Sequence, residues 1–100
     1  MDYRYKIQNE EVNKLFEAIL KLENIEECYR FFDDLCTINE IEAFGQRLVV
    51  AKMLHAKYTY QEIEKETGIS AATISKISKS YLYGPGGYKM LIERLNEEEK

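Results

Sequence analysis

The sequence predicts an all-α fold, and three observations carry that expectation. Apolar residues recur every three or four positions from Val12 to Leu95, the spacing that gathers side chains on one side of a helix. No segment alternates apolar and polar residues with the two-residue period of a half-buried strand. Five polar start signals, at Asn9, Asn24, Thr37, Thr59 and Ser70, cut the chain into helix-length pieces. Six helices in one domain are expected.

The first helix is expected from about Asn9 to Lys21, with Val12, Leu15, Phe16, Ile19 and Leu22 as its apolar stripe and two glutamates behind Asn9 in its first turn. Asn24 opens the second, whose apolar side is Ile25, Cys28, Phe31, Phe32 and Leu35. Asn24 with Glu27 resembles a capping box. Tyr29, Phe31 and Phe32 read as core rather than as a ligand cage, because an aromatic stripe at helical spacing normally packs inward.

Thr37 with Glu40 starts the longest helix, which runs to about Ala56. Its apolar residues, Ile41, Phe44, Leu48 to Ala51, Met53 and Leu54, wrap nearly all the way round. Such a helix needs cover on several sides, and three short neighbours offer too little, so a second subunit is implied. Gly45 is about 1 kcal/mol worse than alanine inside a helix and is expected where another helix comes close. Arg47 is expected to pair on the surface with a glutamate such as Glu40, or with the second subunit.

Thr59 with Glu62 starts a fourth helix after a loop containing Lys57 and Tyr58. Gly68 then marks a sharp turn where a left-handed backbone is cheap only without a Cβ, and Ser70 caps a fifth helix that reaches Leu82. Ile63, Ile69, Ile74 and Ile77 are spaced to meet inside the bend. Two short helices joined this way form the helix-turn-helix of a DNA reader, although an ordinary helical hairpin would place the same isoleucines in its core. The outward residues favour the reader. Ala71, Ala72 and Thr73 can touch a thymine methyl, Thr73 and Ser75 can bond bases or phosphates, and Lys76 and Lys79 can reach guanine or the backbone. Exposed amides at the start of this helix would add a seat for a phosphate. Glu62, Glu64 and Glu66 weigh the other way, because they make the preceding helix acidic and phosphates repel that face.

The stretch Tyr83 to Tyr88 holds three glycines and the only proline, which end the fifth helix. It lacks the GK[ST] of a phosphate-binding loop and follows no strand, so no nucleotide site is expected. A last helix from about Tyr88 to Asn96 uses Met90, Leu91 and Leu95 to pack back, and Glu97 to Lys100 form a solvated tail.

The 100 residues, 45% of them apolar, suit one compact domain, and a chain this short buries only about two-thirds of its surface alone. The net charge of −4 is unevenly spread. Residues 1 to 51 hold six basic and eleven acidic residues, a balance of −5, whereas residues 52 to 82 hold five lysines and three glutamates, a balance of +2. Binding responds to the local field, so a globally acidic chain can still dock on DNA, with strong salt dependence. Cys28 and Cys36 lack metal-ligand spacing and are expected as reduced, buried thiols. The N-terminus has no long apolar run, which points away from a secretory signal or a membrane span and towards the cytoplasm. His55, the only histidine, is expected at a helix end, and no nucleophile or carboxylate set accompanies it. No catalytic residue, metal or cofactor is expected.

Two stretches carry a family resemblance: Ile41-Glu42-Ala43-Phe44-Gly45-Gln46-Arg47, and Gln61-Glu62-Ile63 through Gly68 to Ala72-Thr73-Ile74-Ser75-Lys76. With them nearly the whole chain resembles the Trp repressor family, and the Tyr83 to Tyr88 loop is similar to its YerC/YecD branch. The resemblance implies a six-helix, intertwined homodimer in which residues 1 to 57 dimerise, 58 to 82 read DNA and 83 to 100 close the domain. It implies a transcriptional regulator of double-stranded DNA whose two recognition helices enter successive major grooves about 34 to 36 Å apart. The candidate contact set is Gln61, Ser70, Ala71, Ala72, Thr73, Ser75, Lys76 and Lys79. The repressor holds tryptophan between two arginines over a glycine; here the matching positions are Arg47, Lys76 and Ile77. Isoleucine is expected to fill the indole slot, so tryptophan is not expected as effector. Gln61 and Glu64 also stand where that repressor has basic residues. A protein-interaction module that keeps the helix-turn-helix shape and uses its acidic fourth helix is the alternative.

Overall fold

The computed structural model describes residues 5–99. Among them the chain forms six helices and no strand: α1 Glu10–Ile19, α2 Ile25–Leu35, α3 Ile38–His55, α4 Tyr60–Thr67, α5 Ala71–Tyr83 and α6 Gly87–Glu98. They belong to two compact units that divide inside α3, after Ile41.

In the first unit the expected start signals are physically made. The Asn9 side chain accepts from the Val12 N–H at 2.9 Å, and that of Asn24 from the Glu27 N–H at 2.9 Å. Glu27 reaches back past the cap to the Glu23 N–H, 2.9 Å away, so only one half of the expected box forms there. At Thr37 the box is complete: the Glu40 N–H donates to the hydroxyl at 3.1 Å and the Thr37 N–H donates to the Glu40 carboxylate at 2.8 Å. That second bond holds the Glu40 carboxyl below its usual pKa. α1 ends two residues before Lys21, where the Lys21 and Leu22 amides turn to carbonyls three residues back, the tighter geometry of a closing turn.

These helices are amphipathic, yet none of their residues is buried. Phe31 and Phe32 meet edge to face at 5.7 Å, but Leu20, Ile25 and Ile38 are 72% to 83% exposed. Cys28 is exposed and Cys36 only partly covered, both as free thiols, which corrects the expectation of burial. The apolar faces that the pattern demanded exist without cover inside this unit.

The second unit has a core of Val50, Ala51, Ile63, Ile74, Ile77 and Ile92, with Met53, Leu54, Ile69, Tyr81 and Tyr88 packed against it. It draws on α3, α4, α5 and α6. A Cβ built on Gly45 would meet nothing within 4 Å, so no described element makes the close approach expected at that glycine. Arg47 differs as well: its guanidinium lies 5.7 Å from the centre of the Phe44 ring, while the Glu40 carboxylate is committed to its helix cap. Among the described residues the only salt bridge is Lys14 with Glu10, at 3.6 Å.

The α3 terminus is closed by a Schellman arrangement, in which the Tyr58 N–H donates to the Met53 carbonyl and the Lys57 N–H to that of Leu54. Lys57 takes the left-handed position, φ 71°, that glycine usually occupies. The chain can then re-enter a helix at once, because Thr59 and Glu62 form a full capping box.

Candidate nucleic-acid interface

The bend between α4 and α5 is built as the isoleucine spacing requires. Ile63 and Ile74 are fully buried, Ile77 is 6% exposed, and Ile69 packs against them from the turn. Gly68 has φ 74° and closes α4 by donating its N–H to the Glu64 carbonyl at 2.9 Å. Thr67 then stitches the turn. Its hydroxyl donates to the Ile63 carbonyl at 2.7 Å and accepts from the Ile69 N–H at 3.1 Å, a role the sequence reading missed because the residue carries no special signal.

With Ile74, Ile77 and Ser78 turned inward, α5 exposes Ala71, Ala72, Thr73, Ser75, Lys76 and Lys79. Gln61 is exposed on α4, and Ser70 is the N-cap, accepting from the Thr73 N–H at 3.2 Å and donating to the Thr73 hydroxyl at 3.0 Å. The first amide of α5 is already occupied. The Ala71 N–H donates to Glu64 Oε2 at 3.2 Å. The open phosphate seat expected at this helix start is therefore corrected: an internal carboxylate holds part of it.

Beside this face lies a cleft of about 390 Å³ lined by Arg47, Thr73, Lys76, Ile77, Ser80 and Tyr88. It brings together the three residues singled out as an effector pocket. Ile77 forms an apolar wall and belongs to the core, but the cleft above it stays open. Ser80 escaped the sequence reading and Thr73 was expected only as a DNA contact, although Thr73, Lys76, Ile77 and Ser80 follow the one-face spacing of a helix and could have been found by it. Tyr88 comes from α6 and carried no such signal.

His55 is the last residue of α3, as expected, and its Nδ1 lies 2.8 Å from the Tyr81 hydroxyl of α5. This hydrogen bond ties the end of the long helix to α5. Lys89 of α6 sits 5.1 Å from the Tyr81 ring centre. Among the described residues no cluster of histidine, cysteine or carboxylate side chains could hold a metal, and no helix is long and apolar enough to cross a membrane.

A buried isoleucine hinge, a left-handed glycine and a second helix with a small, cationic outward face define a helix-turn-helix protein of the all-α class. The sequence pattern of the Trp repressor proteins matches residues 10–96, and the chain belongs to that family. It is 52% identical over 94 residues to the uncharacterized protein YerC of Bacillus subtilis, spanning 94% of this chain and 90% of YerC. Its fold is similar to a Trp repressor-like protein from Staphylococcus aureus, with 53% identity, TM-score 0.85 and 89% of each chain covered. A TrpR-like protein from Eubacterium eligens superposes with TM-score 0.86 at 48% identity, over 91% of this chain and 94% of that one.

Proposed function

We propose that the protein is a sequence-specific transcriptional regulator, acting in the cytoplasm as a repressor that binds a palindromic operator as a homodimer, without catalytic activity. The observation that carries the reading is the division of α5. Its isoleucines are locked into the core, so its exposed Ala71, Ala72, Ser75, Lys76 and Lys79 are offered on a rigid helix, which is what close approach to base edges needs. Family membership supports DNA as the ligand. The dimer is supported by the uncovered apolar faces of α1 and α2, since exposed side chains such as Phe16 and Ile25 gain by association. In this reading residues 1 to 57 dimerise, 58 to 82 read DNA and 83 to 100 close the fold.

The test is selection of binding sites from a random duplex library at low and near-physiological salt, with sedimentation to establish the subunit count. An enriched palindrome bound by a dimer is the expected result. No enriched site, with weak binding that vanishes as salt rises, would refute sequence reading. Binding to a protein partner that ignores salt would favour the interaction module, for which the exposed Glu62, Glu64 and Glu66 of α4 speak.

The Arg47, Lys76 and Ile77 cleft is the proposed seat of any effector, and tryptophan is not that effector, because Ile77 puts a branched side chain where the repressor's glycine leaves room for the indole. Calorimetry should detect no micromolar binding of tryptophan. Such binding would overturn this part of the proposal.

A further inference from the structure

Glu64 places a full negative charge on the first amide of the DNA-facing helix. Its Oε2 accepts from the Ala71 N–H at 3.2 Å across seven residues of sequence. The neighbouring cap is of a different kind. Ser70 is uncharged, adjoins the helix and is held by its own hydroxyl bond to Thr73. Glu64 reaches over from α4 and is exposed, and the Ala71 amide is the one hydrogen-bond partner of its side chain among the described residues. A carboxylate in this position gains from the positive end of the helix, and that same end is what a DNA phosphate would seek.

We infer that Glu64 is an affinity-setting residue, whose carboxylate stands in for a DNA phosphate at the start of α5 and must be displaced when duplex binds. The inference rests on the DNA-reading function proposed above. Two anions cannot share one amide donor at hydrogen-bond distance, because like charges a few ångströms apart repel strongly near a protein surface. Docking therefore breaks the bond to Ala71 and swings Glu64 outward. Ser70 still caps the helix during this exchange. Free protein keeps an ordered helix start, and the affinity for backbone is lower than the lysines of α5 alone would give.

The experiment separates local competition from general repulsion. Glu64→Gln removes the charge, Glu64→Asp keeps the charge on a side chain one methylene too short for the reach, and Glu66→Gln removes an equivalent exposed charge from α4. Binding of a duplex of arbitrary sequence is measured across a salt series, together with the Ala71 amide resonance of the free proteins during carboxylate titration. The expected result is that the Ala71 resonance follows the carboxylate in wild type but not in Glu64→Asp. Both Glu64 variants should bind about fivefold to tenfold tighter, as recovery of one charge-assisted bond allows, with a salt slope steeper by about 0.9. Glu66→Gln should gain less than about twofold, the modest effect of a screened surface charge. An Ala71 resonance indifferent to titration in wild type would overturn the inference. So would equal gains for Glu64→Gln and Glu66→Gln with none for Glu64→Asp. Absence of duplex binding by wild type and every variant would overturn the DNA reading itself, and a titrating Ala71 amide would then show that the capping contact exists without that role.

Discussion

Replacing Ile74 by alanine tests whether α5 is anchored by its buried side. Ile74 is fully buried at the bend, with Ile63 and Ile77 in the same core. Truncation removes three carbons from an environment that excludes water, worth about 2.4 kcal/mol at about 0.8 kcal/mol per buried methylene. The surrounding atoms collapse only partly into the space, and the residual cavity brings the loss to about 3 to 4 kcal/mol. For a domain whose total stability lies in the usual range of about 5 to 15 kcal/mol, that is a large share. Urea denaturation at fixed protein concentration measures it, since a self-associating chain changes midpoint with concentration. Ser75→Ala, one residue along on the exposed face, should stay within about 0.5 kcal/mol. A loss below about 1 kcal/mol for Ile74→Ala would refute the reasoning, because it would mean that α5 is held by something other than this core.

Gly68→Ala should lose about 1 to 2 kcal/mol from its left-handed backbone alone, since a Cβ there has nothing within 4 Å to strike; thermal or urea unfolding measures the change. Lys57→Gly should move the other way by a few tenths of a kcal/mol up to about 1, because it relieves the positive φ at the end of α3, and destabilisation would count against the strain argument. Glu40 and Glu62 have carboxyl pKa values lowered chiefly by the backbone N–H of Thr37 and Thr59 respectively. A depressed folded-state pKa gives stability that is present above the unfolded value of about 4.3 and is lost as pH falls through the folded one. The melting temperature of the Glu40→Gln, Glu62→Gln double variant should therefore fall less steeply than that of wild type on acidification below that value. Lys79→Ala should weaken binding to all duplex sequences alike and reduce the salt slope by about one, whereas a change in sequence preference would place Lys79 at a base edge instead.

Family membership and the structural relatives fix how far the fold extends, but the site belongs to individual side chains. The reversal at Glu64 shows why. Its acidity was visible as a mark against DNA, and only the arrangement of α4 and α5 reveals that the charge is directed at the Ala71 amide. A charge that the sequence shows only as one of three acids on α4 thus holds an amide at the start of α5.

The sequence by itself determined where the helices begin and which residues close the bend. Caps at Asn9, Asn24, Thr37, Thr59 and Ser70 involve partners three residues away, so the spacing of residue types suffices to specify them. The left-handed Gly68 is equally local. Tertiary structure decided the rest. The bond of His55 to Tyr81 spans 26 residues, the cleft needs Tyr88 beside a stripe of α5, and Cys28 lies on an apolar face that its own unit leaves open. Periodicity orients a side chain about a helix axis but carries no information about which surface, if any, lies opposite, because burial is a property of two elements and periodicity a property of one.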